Sequence, residues 1–465
     1  AIGASIFASN IGSEHLIGLA GAGASSGMAM AHWEIQGWMI LILGWVFVPF
    51  YSRSMVYTMP EFLERRYNPQ SRTILSVISL VSYVLTKVAV TVYAGGLVFQ
   101  QVFGIKELWG IDFFWIAAIG LVVLTALYTI FGGMKSVLYT SVLQTPILLL
   151  GSLIILVLGF KELGGWDEMM RVCGAVTVND YGDTMTNLIR SNDDANFPWL
   201  GALIGSAIIG FWYWCTDQFI VQRVLSGKNE KEARRGTIFG AYLKLLPVFL
   251  FLIPGMIAFA LHQKYIGAGG EGFLPMLANG TANADAAFPT LVAKLLPAGV
   301  KGLVVCGILA ALMSSLASLF NSSAMLFTID FYKRFRPETP EKKLVGIGQI
   351  ATVVIVILGI LWIPIMRSVG DVLYTYLQDV QSVLAPGIAA AFLLGICWKR
   401  TSAQGGMWGL IAGMIIGLTR LGAKVYYSNA GEVADSTFKY LFYDMNWLFF
   451  CGWMFLFCII VVIVV

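Results

Sequence analysis

Residues 8–18 read ASNIGSEHLIG, and the rest of the chain is read outward from them. The stretch holds five polar side chains, Ser9, Asn10, Ser13, Glu14 and His15, and two glycines, inside a run otherwise suited to lipid. Each of those side chains is costly in hydrocarbon, and glycine weakens the helix that would shelter it. The stretch is either a loop beside a membrane segment or a helix broken around a site.

Composition favours the membrane. Charged residues are 12% of 465 and apolar residues 58%, against about 25% charged in an ordinary soluble domain. A soluble fold of this length cannot hide so much apolar surface, so an all-α polytopic membrane protein is expected. The formal charge of +4 matters less than its placement. Cys173, Cys215, Cys306, Cys397, Cys451 and Cys458 form no C-x-x-C pair and mostly sit in apolar runs, as inert buried thiols do. The chain opens at Ala1 and stops at Val465 within an apolar run, which reads as truncation at both ends. No nucleophile–base pair, metal cluster or phosphate loop stands out, which argues against an enzyme. No nucleic-acid partner is expected.

Runs long enough to cross a bilayer occur at about 1–22, 28–51, 74–103, 112–131, 136–160, 198–222, 237–262, 300–330, 343–367, 371–397, 405–426 and 446–465. Basic residues gather in every second connection. Arg53, Arg65, Arg66 and Arg72 lie in 51–73, and Arg223, Lys228, Lys231, Arg234 and Arg235 in 223–235. Lys333, Arg334, Arg336, Lys342 and Lys343 lie in 330–343, and Lys399 and Arg400 in 398–400. The positive-inside rule places these four loops in the cytoplasm and the acidic 161–197 loop outside. The first span then runs outward and the sixth inward. Residues 1–160 and 198–397 thus divide into two five-span halves of opposite orientation, separated by the 161–197 loop and followed by peripheral spans in 398–465.

The two halves share an oddity at matching places. Span one holds ASNIGSEH, and span six holds GFWYWCTDQF with Thr216, Asp217 and Gln218 at membrane depth. Paired interrupted segments are the best sequence pointer to a transporter site, although each is also readable as a kinked structural helix. Glu34, Gln36, Lys244, Gln378, Asp379 and Gln381 are further polar residues within spans. A sugar needs a carboxylate, amides, a cation and an aromatic face. Glu34, His15, Lys244, Gln378 and the aromatics Trp212, Tyr213 and Trp214 supply that set. A buried Glu34–Lys244 ion pair serving structure alone remains the competing reading. In 310–332, small residues suit close helix packing, while Ser314 and Ser315 offer two hydroxyl oxygens on one arc. Such oxygens suit a hard cation such as Na⁺ if carbonyls from the broken first span complete the shell.

Several long stretches resemble the sodium/solute symporter family, and within it the sodium/glucose and galactose cotransporters. They are ASNIGSEHLIGLAGAG, LGWVFVPFY, TMPEFLERRY, LYTIFGGMKSVLYTSVLQT, YWCTDQFIVQRVLSGKNEKEARRG, YLKLLPVFLFLIPGM, MSSLASLFNSSAMLFTIDFY and APGIAAAFLLGICWKR, in order along nearly the whole chain. The resemblance implies a leucine-transporter-like core of five plus five spans, with peripheral helices. By position it implies a sodium shell of the carbonyls of Ala8, Ile11 and Ala311 and the hydroxyls of Ser314 and Ser315. It implies sugar contacts from His15, Glu34, Lys244 and Gln378. Tyr213 becomes the inner gate over the ring, with Trp214 beside it, Tyr374 on the outer side and Asn10 bracing Tyr213.

Two departures from the family pattern stand out. Ser141 and Ala317 occupy positions where members using a second sodium place an aspartate and a hydroxyl, so one Na⁺ per sugar is expected. Gly37 and Gly210 stand where some bacterial galactose members place polar sugar contacts. The expected function is sodium-coupled import of glucose or galactose across the plasma (inner) membrane by alternating access. The alternatives are the same fold carrying myo-inositol, sialic acid or another solute, and a sugar-binding sensor or leak channel.

Overall fold

The computed structural model describes all residues except 1, 13, 55, 57, 278–279, 370–372 and 430–433; side chains at 8–9, 35, 128, 130–145, 366–369, 374–375 and 429 are also outside the described set. The described chain is helical apart from loops, isolated bridges and one hairpin. In the hairpin β1 (Glu107–Leu108) pairs antiparallel with β2 (Ile111–Asp112).

Local chemistry sets the helix starts. Asn68 precedes Pro69, and its Oδ1 accepts the Ser71 N–H at 2.8 Å, opening a helix over Pro69–Ser82. Asp217 caps Gln218–Leu225 in the same way, accepting the Phe219 N–H at 3.1 Å. The first core helix, α1 (Ile2–Asn10), stops at the stretch that opened the sequence reading. At the break Gly12 donates to the Asn10 carbonyl, His15 and Leu16 donate to that of Gly12, and Glu14–Leu19 continues as a π-helical turn into α2 (Ala20–Ser26).

Among the described residues, ten helices are long and apolar enough to cross a membrane, against the twelve runs read from sequence. The break after Asn10 leaves α1 with nine residues, and the chain from Glu14 to Ser54 continues as one helical run. The fourth and fifth runs lie in one helical stretch, α3 (Phe113–Leu163), whose described parts include the apolar segments Phe113–Leu127 and Pro146–Leu163.

The loops expected on one side of the membrane meet in the fold. Arg66 donates to the carbonyls of Gly395, Trp398 and Thr401, which joins 51–73 to 398–401. Arg72 pairs with Asp330 at 2.7 Å, and Arg334 donates to Pro69, which adds 330–343. On the opposite side Met28 donates to the Met185 carbonyl, and Asn446 to that of Ala195, so the 161–197 loop covers the ends of several spans. Helices cross closely where side chains vanish. α2 meets α4 (Ile253–Gly267) with Gly255 against the Ala20 carbonyl, and Gly23 lies against the Leu252 carbonyl just before α4.

Candidate functional site

The helix breaks converge at the centre of the bundle. From the first break come Asn10, Glu14 and His15, and from the sixth span, π-wound over Phe211–Thr216, come Tyr213 and Trp214. Trp33 and Gln36, Lys244 at the end of helix Glu230–Leu243, and Gln378 and Gln381 from α5 (Leu373–Cys397, numbered after α4) complete the lining with Ile209. They line a narrow, nearly closed cleft.

At one wall Lys244 Nζ lies 2.7 Å from Glu34 Oε2 and 2.7 Å from His15 Nε2, while His15 Nε2 is 3.3 Å from Glu34 Oε1. All three side chains are buried. One imidazole nitrogen faces both an ammonium and a carboxylate, so its proton position decides which neighbour it bonds. The Lys244 ammonium also lies 5.6 Å from the centre of the Trp214 ring. Trp214 stands edge-on to Tyr213 with ring centres 4.9 Å apart, and Asn10 Nδ2 donates to Tyr213 Oη at 3.0 Å.

Several lining atoms are buried without a hydrogen-bond partner among the described residues: Asn10 Oδ1, Gln36 Nε2 and Gln378 Oε1. A buried polar atom left unmade costs about 1–3 kcal/mol. Three such atoms around one cleft, donors and acceptors mixed, are arranged for a ligand that can do both.

One proposed ion ligand, Ser315, lies at the same break. The space a Gly12 side chain would take is held by the Ser315 hydroxyl, so α6 (Ala298–Met325) places Ser315 against the end of α1. Ser314, Ala311 and Ile11 are also buried. A hydroxyl facing the carbonyl end of a short helix suits a monovalent cation in charge and in donor type. The backbone of Ala8 belongs to α1, but its side chain, like those of Tyr374 and Ser141, lies outside the described residues.

Of the residues singled out from sequence, His15, Lys244, Gln378, Tyr213, Trp214 and Asn10 line one cleft, and Glu34 is buried behind it, paired with Lys244 and His15. Trp212 is buried but does not line it, and Asp379 pairs with Lys424 instead. A Cβ at Gly210 would stand 2.8 Å from Gln36 Oε1 and one at Gly37 3.4 Å from Lys244 Cβ, so a side chain at either position would press on a residue that lines the cleft. Sequence reasoning did not assign Glu14, Trp33, Gln36, Ile209 and Gln381 to the site. Glu14, Gln36 and Gln381 carried the same signal as the others, a polar group within an apolar run; Trp33 and Ile209 carried none.

Comparison with known proteins agrees with this architecture. The sodium:solute symporter family model matches residues 1–413. The human sodium/myo-inositol cotransporter 2 is 39% identical over 433 residues, covering 90% of this chain and 63% of that protein. The sheep sodium/glucose cotransporter 1 is 38% identical over 482 residues, covering 100% and 72%. The chain thus spans a little under two thirds of the inositol cotransporter. Among solved structures, an outward-open Na⁺-coupled sialic acid symporter superposes with a TM-score of 0.72 at 21% identity, covering 100% of this chain and 88% of the other. A closed nucleobase-cation-symport-1 transporter superposes at 0.55 and 14% identity, covering 99% and 91%. The fold is therefore leucine-transporter-like, in a multi-pass integral membrane protein. The chain belongs to the sodium:solute symporter family.

Proposed function

We propose that the protein is a sodium-coupled symporter that imports a hexose, glucose or galactose, with one Na⁺ per sugar. The observation that carries the reading is the cleft itself. Carboxylate, ammonium, imidazole and amides converge on one space beside an aromatic pair, and amide atoms of Asn10, Gln36 and Gln378 await partners. A neutral polyol donates and accepts at every hydroxyl, which this mixture requires. Glu34 compensates Lys244, so the wall carries no excess positive charge to select a carboxylate substrate.

In the proposed cycle Na⁺ enters from outside and ties the end of α1 to Ser314 and Ser315 of α6. That contact holds the first break in the shape that presents Asn10 and His15 to the sugar. Sugar binding closes the outer side, and the bundle rocks to open inward. Loss of Na⁺ loosens Asn10, which frees Tyr213, and the sugar leaves. One charge crossing 100 mV supplies about 2.3 kcal/mol, and a tenfold ion gradient adds about 1.4 kcal/mol. Together they support a sugar gradient of about several hundredfold, so a single ion suffices.

Myo-inositol is the second reading, favoured by the 39% identity to the human sodium/myo-inositol cotransporter 2. Uptake of labelled glucose, galactose and myo-inositol into proteoliposomes, with and without an inward Na⁺ gradient, separates the two. Accumulation of a hexose that requires Na⁺ supports the first reading. Accumulation of inositol alone replaces it, and no sodium effect on any of the three overturns symport of polyols.

A further inference from the structure

Below the cleft lies a buried cation that the proposed cycle does not use. Lys87, in the π-wound segment Tyr83–Val88 of the third span, places Nζ 2.5 Å from Asp217 Oδ2. Both side chains are at most 5% exposed. Asp217 sits at the break of span six, between the last carbonyls of Phe211–Thr216 and the start of Gln218–Leu225. Its other oxygen accepts the Tyr83 hydroxyl at 2.8 Å and the Phe219 N–H at 3.1 Å. The Lys87 ammonium lies 4.0 Å from the centre of the Phe219 ring and 4.7 Å from that of Tyr213, distances at which an aromatic face attracts a cation.

In a core of two inverted five-span halves, span one corresponds to span six and span three to span eight. The sodium ligands proposed above join the break of span one to Ser314 and Ser315 on span eight. Lys87 on span three reaches the break of span six. The two places are counterparts under the pseudo-two-fold. One offers helix-end carbonyls and hydroxyls to a mobile cation; the other offers a carboxylate, a hydroxyl and helix-end carbonyls to an ammonium on a four-carbon stem.

We infer that the Lys87 ammonium is a tethered cation, permanently filling the pseudo-symmetric counterpart of the sodium site and bracing the second broken helix. The inference rests on the symport reading for the first site. It explains physically how one free ion can serve a core with two broken helices: the second break carries its own charge. It also links the two sites, because the same ammonium faces the ring of Tyr213, whose hydroxyl accepts from Asn10 at the first break. A salt bridge that only packs the bundle would, once the lysine was removed, be relieved by neutralising Asp217 and would add no second sodium to the transport cycle.

The test uses sodium titration of uptake in proteoliposomes and of thermal unfolding in detergent, with and without ethylammonium. Lys87→Ala leaves Asp217 and Tyr83 around a vacant cation-sized space. The expected result is a sodium dependence that steepens from a Hill coefficient of about one towards two, with half-activation raised at least about tenfold, and single-site behaviour restored by ethylammonium. Lys87→Ala combined with Asp217→Asn removes the carboxylate as well, and shows neither the second sodium nor the ethylammonium response. An unchanged sodium curve in Lys87→Ala overturns the inference. So does inactivity unrelieved by sodium or ethylammonium, and so does aggregation in sodium, choline and ethylammonium alike. Absence of any sodium effect on the unsubstituted protein overturns the symport reading instead, while ethylammonium stabilisation of Lys87→Ala still reports on the tethered cation.

Discussion

Asn10 donates its Nδ2 hydrogen to Tyr213 Oη at 3.0 Å, and this bond joins the two broken helices across 203 residues of sequence. Asn10 ends α1, where the proposed ion binds, and Tyr213 lies at the floor of the cleft. In the proposed cycle this one side chain is what passes occupancy of the ion site on to Tyr213.

Breaking that bond should uncouple the two ligands rather than abolish either. Asn10→Ala leaves the buried Tyr213 hydroxyl without its donor, a loss of about 1–3 kcal/mol, or about 5- to 150-fold in an equilibrium constant. Sugar affinity in saturating sodium should fall within that range, and sodium-independent sugar efflux should rise. Tyr213→Phe should reproduce most of the effect, and the double variant should be little worse than either single one. Additive losses would show that the residues act separately.

The wall of the cleft makes a different forecast. Glu34 and Lys244 are buried and 2.7 Å apart, and removing one partner of such a pair destabilises by about 3–5 kcal/mol. Glu34→Gln and Lys244→Met should each lower the melting temperature in detergent. The paired replacement should recover most of the stability, since neither charge is then stranded, but not the sugar uptake. Recovery of both would return the pair to a purely structural role.

The broken helix was legible because lipid makes polar residues conspicuous. Asn10, His15, Glu34, Lys244 and Gln378 stood out from apolar surroundings; four of them line one cleft, and Glu34 pairs with Lys244 behind it. Facing loops were legible for the same reason, since arginines such as Arg66 and Arg72 avoid hydrocarbon and then find each other's loops. The Lys87–Asp217 pair was half visible: Asp217 was noticed, but nothing in sequence shows that a lysine 130 residues away meets it. Trp33 and Ile209 were not legible, because an aromatic or aliphatic residue in a span looks the same whether it faces lipid, core or cleft. The break in the first span was legible as polarity and not as geometry. Hydropathy registers lipid-facing length, whereas a break after Asn10 interrupts the helix without interrupting the apolar run.

Outside the spans, Asp285 gives the fold a pH dependence. It lies between α4 and the helix Ala287–Leu295, buried, with its carboxylate accepting the Leu373 N–H at 3.1 Å and lying against Gly21 of α2. Burial pushes its pKa up from an ordinary 3.8 to about 7. Between those values the folded state holds a proton that the unfolded state has released, so stability falls as pH rises, and the slope ends above about 7. The full effect is at most about 4 kcal/mol, from a shift of about three units. Asp285→Asn keeps an acceptor for Leu373 and removes the titration. Melting temperatures should therefore diverge with rising pH, the variant matching the unsubstituted protein near pH 4 and exceeding it at pH 8. Parallel curves would assign the pH response to other groups.

The last forecast separates an ion ligand from the space around it. Ser315 and Gly12 compete for one volume: the Ser315 hydroxyl stands where a side chain at position 12 would begin. Ser315→Ala removes a proposed sodium oxygen while leaving the helix contact intact. Gly12→Ala removes no oxygen but drives the hydroxyl away from the end of α1. If sodium sits between them, both substitutions should raise the half-activating sodium concentration by at least about tenfold, which corresponds to about 1.4 kcal/mol. Combining Gly12→Ala with Ser315→Gly should relieve the crowding without restoring the oxygen, so stability returns and sodium affinity does not. Sodium affinity recovered in that double variant would mean that the hydroxyl shapes the break and the ion binds elsewhere. Measuring sodium-dependent uptake and melting temperature on the same four proteins decides between these outcomes.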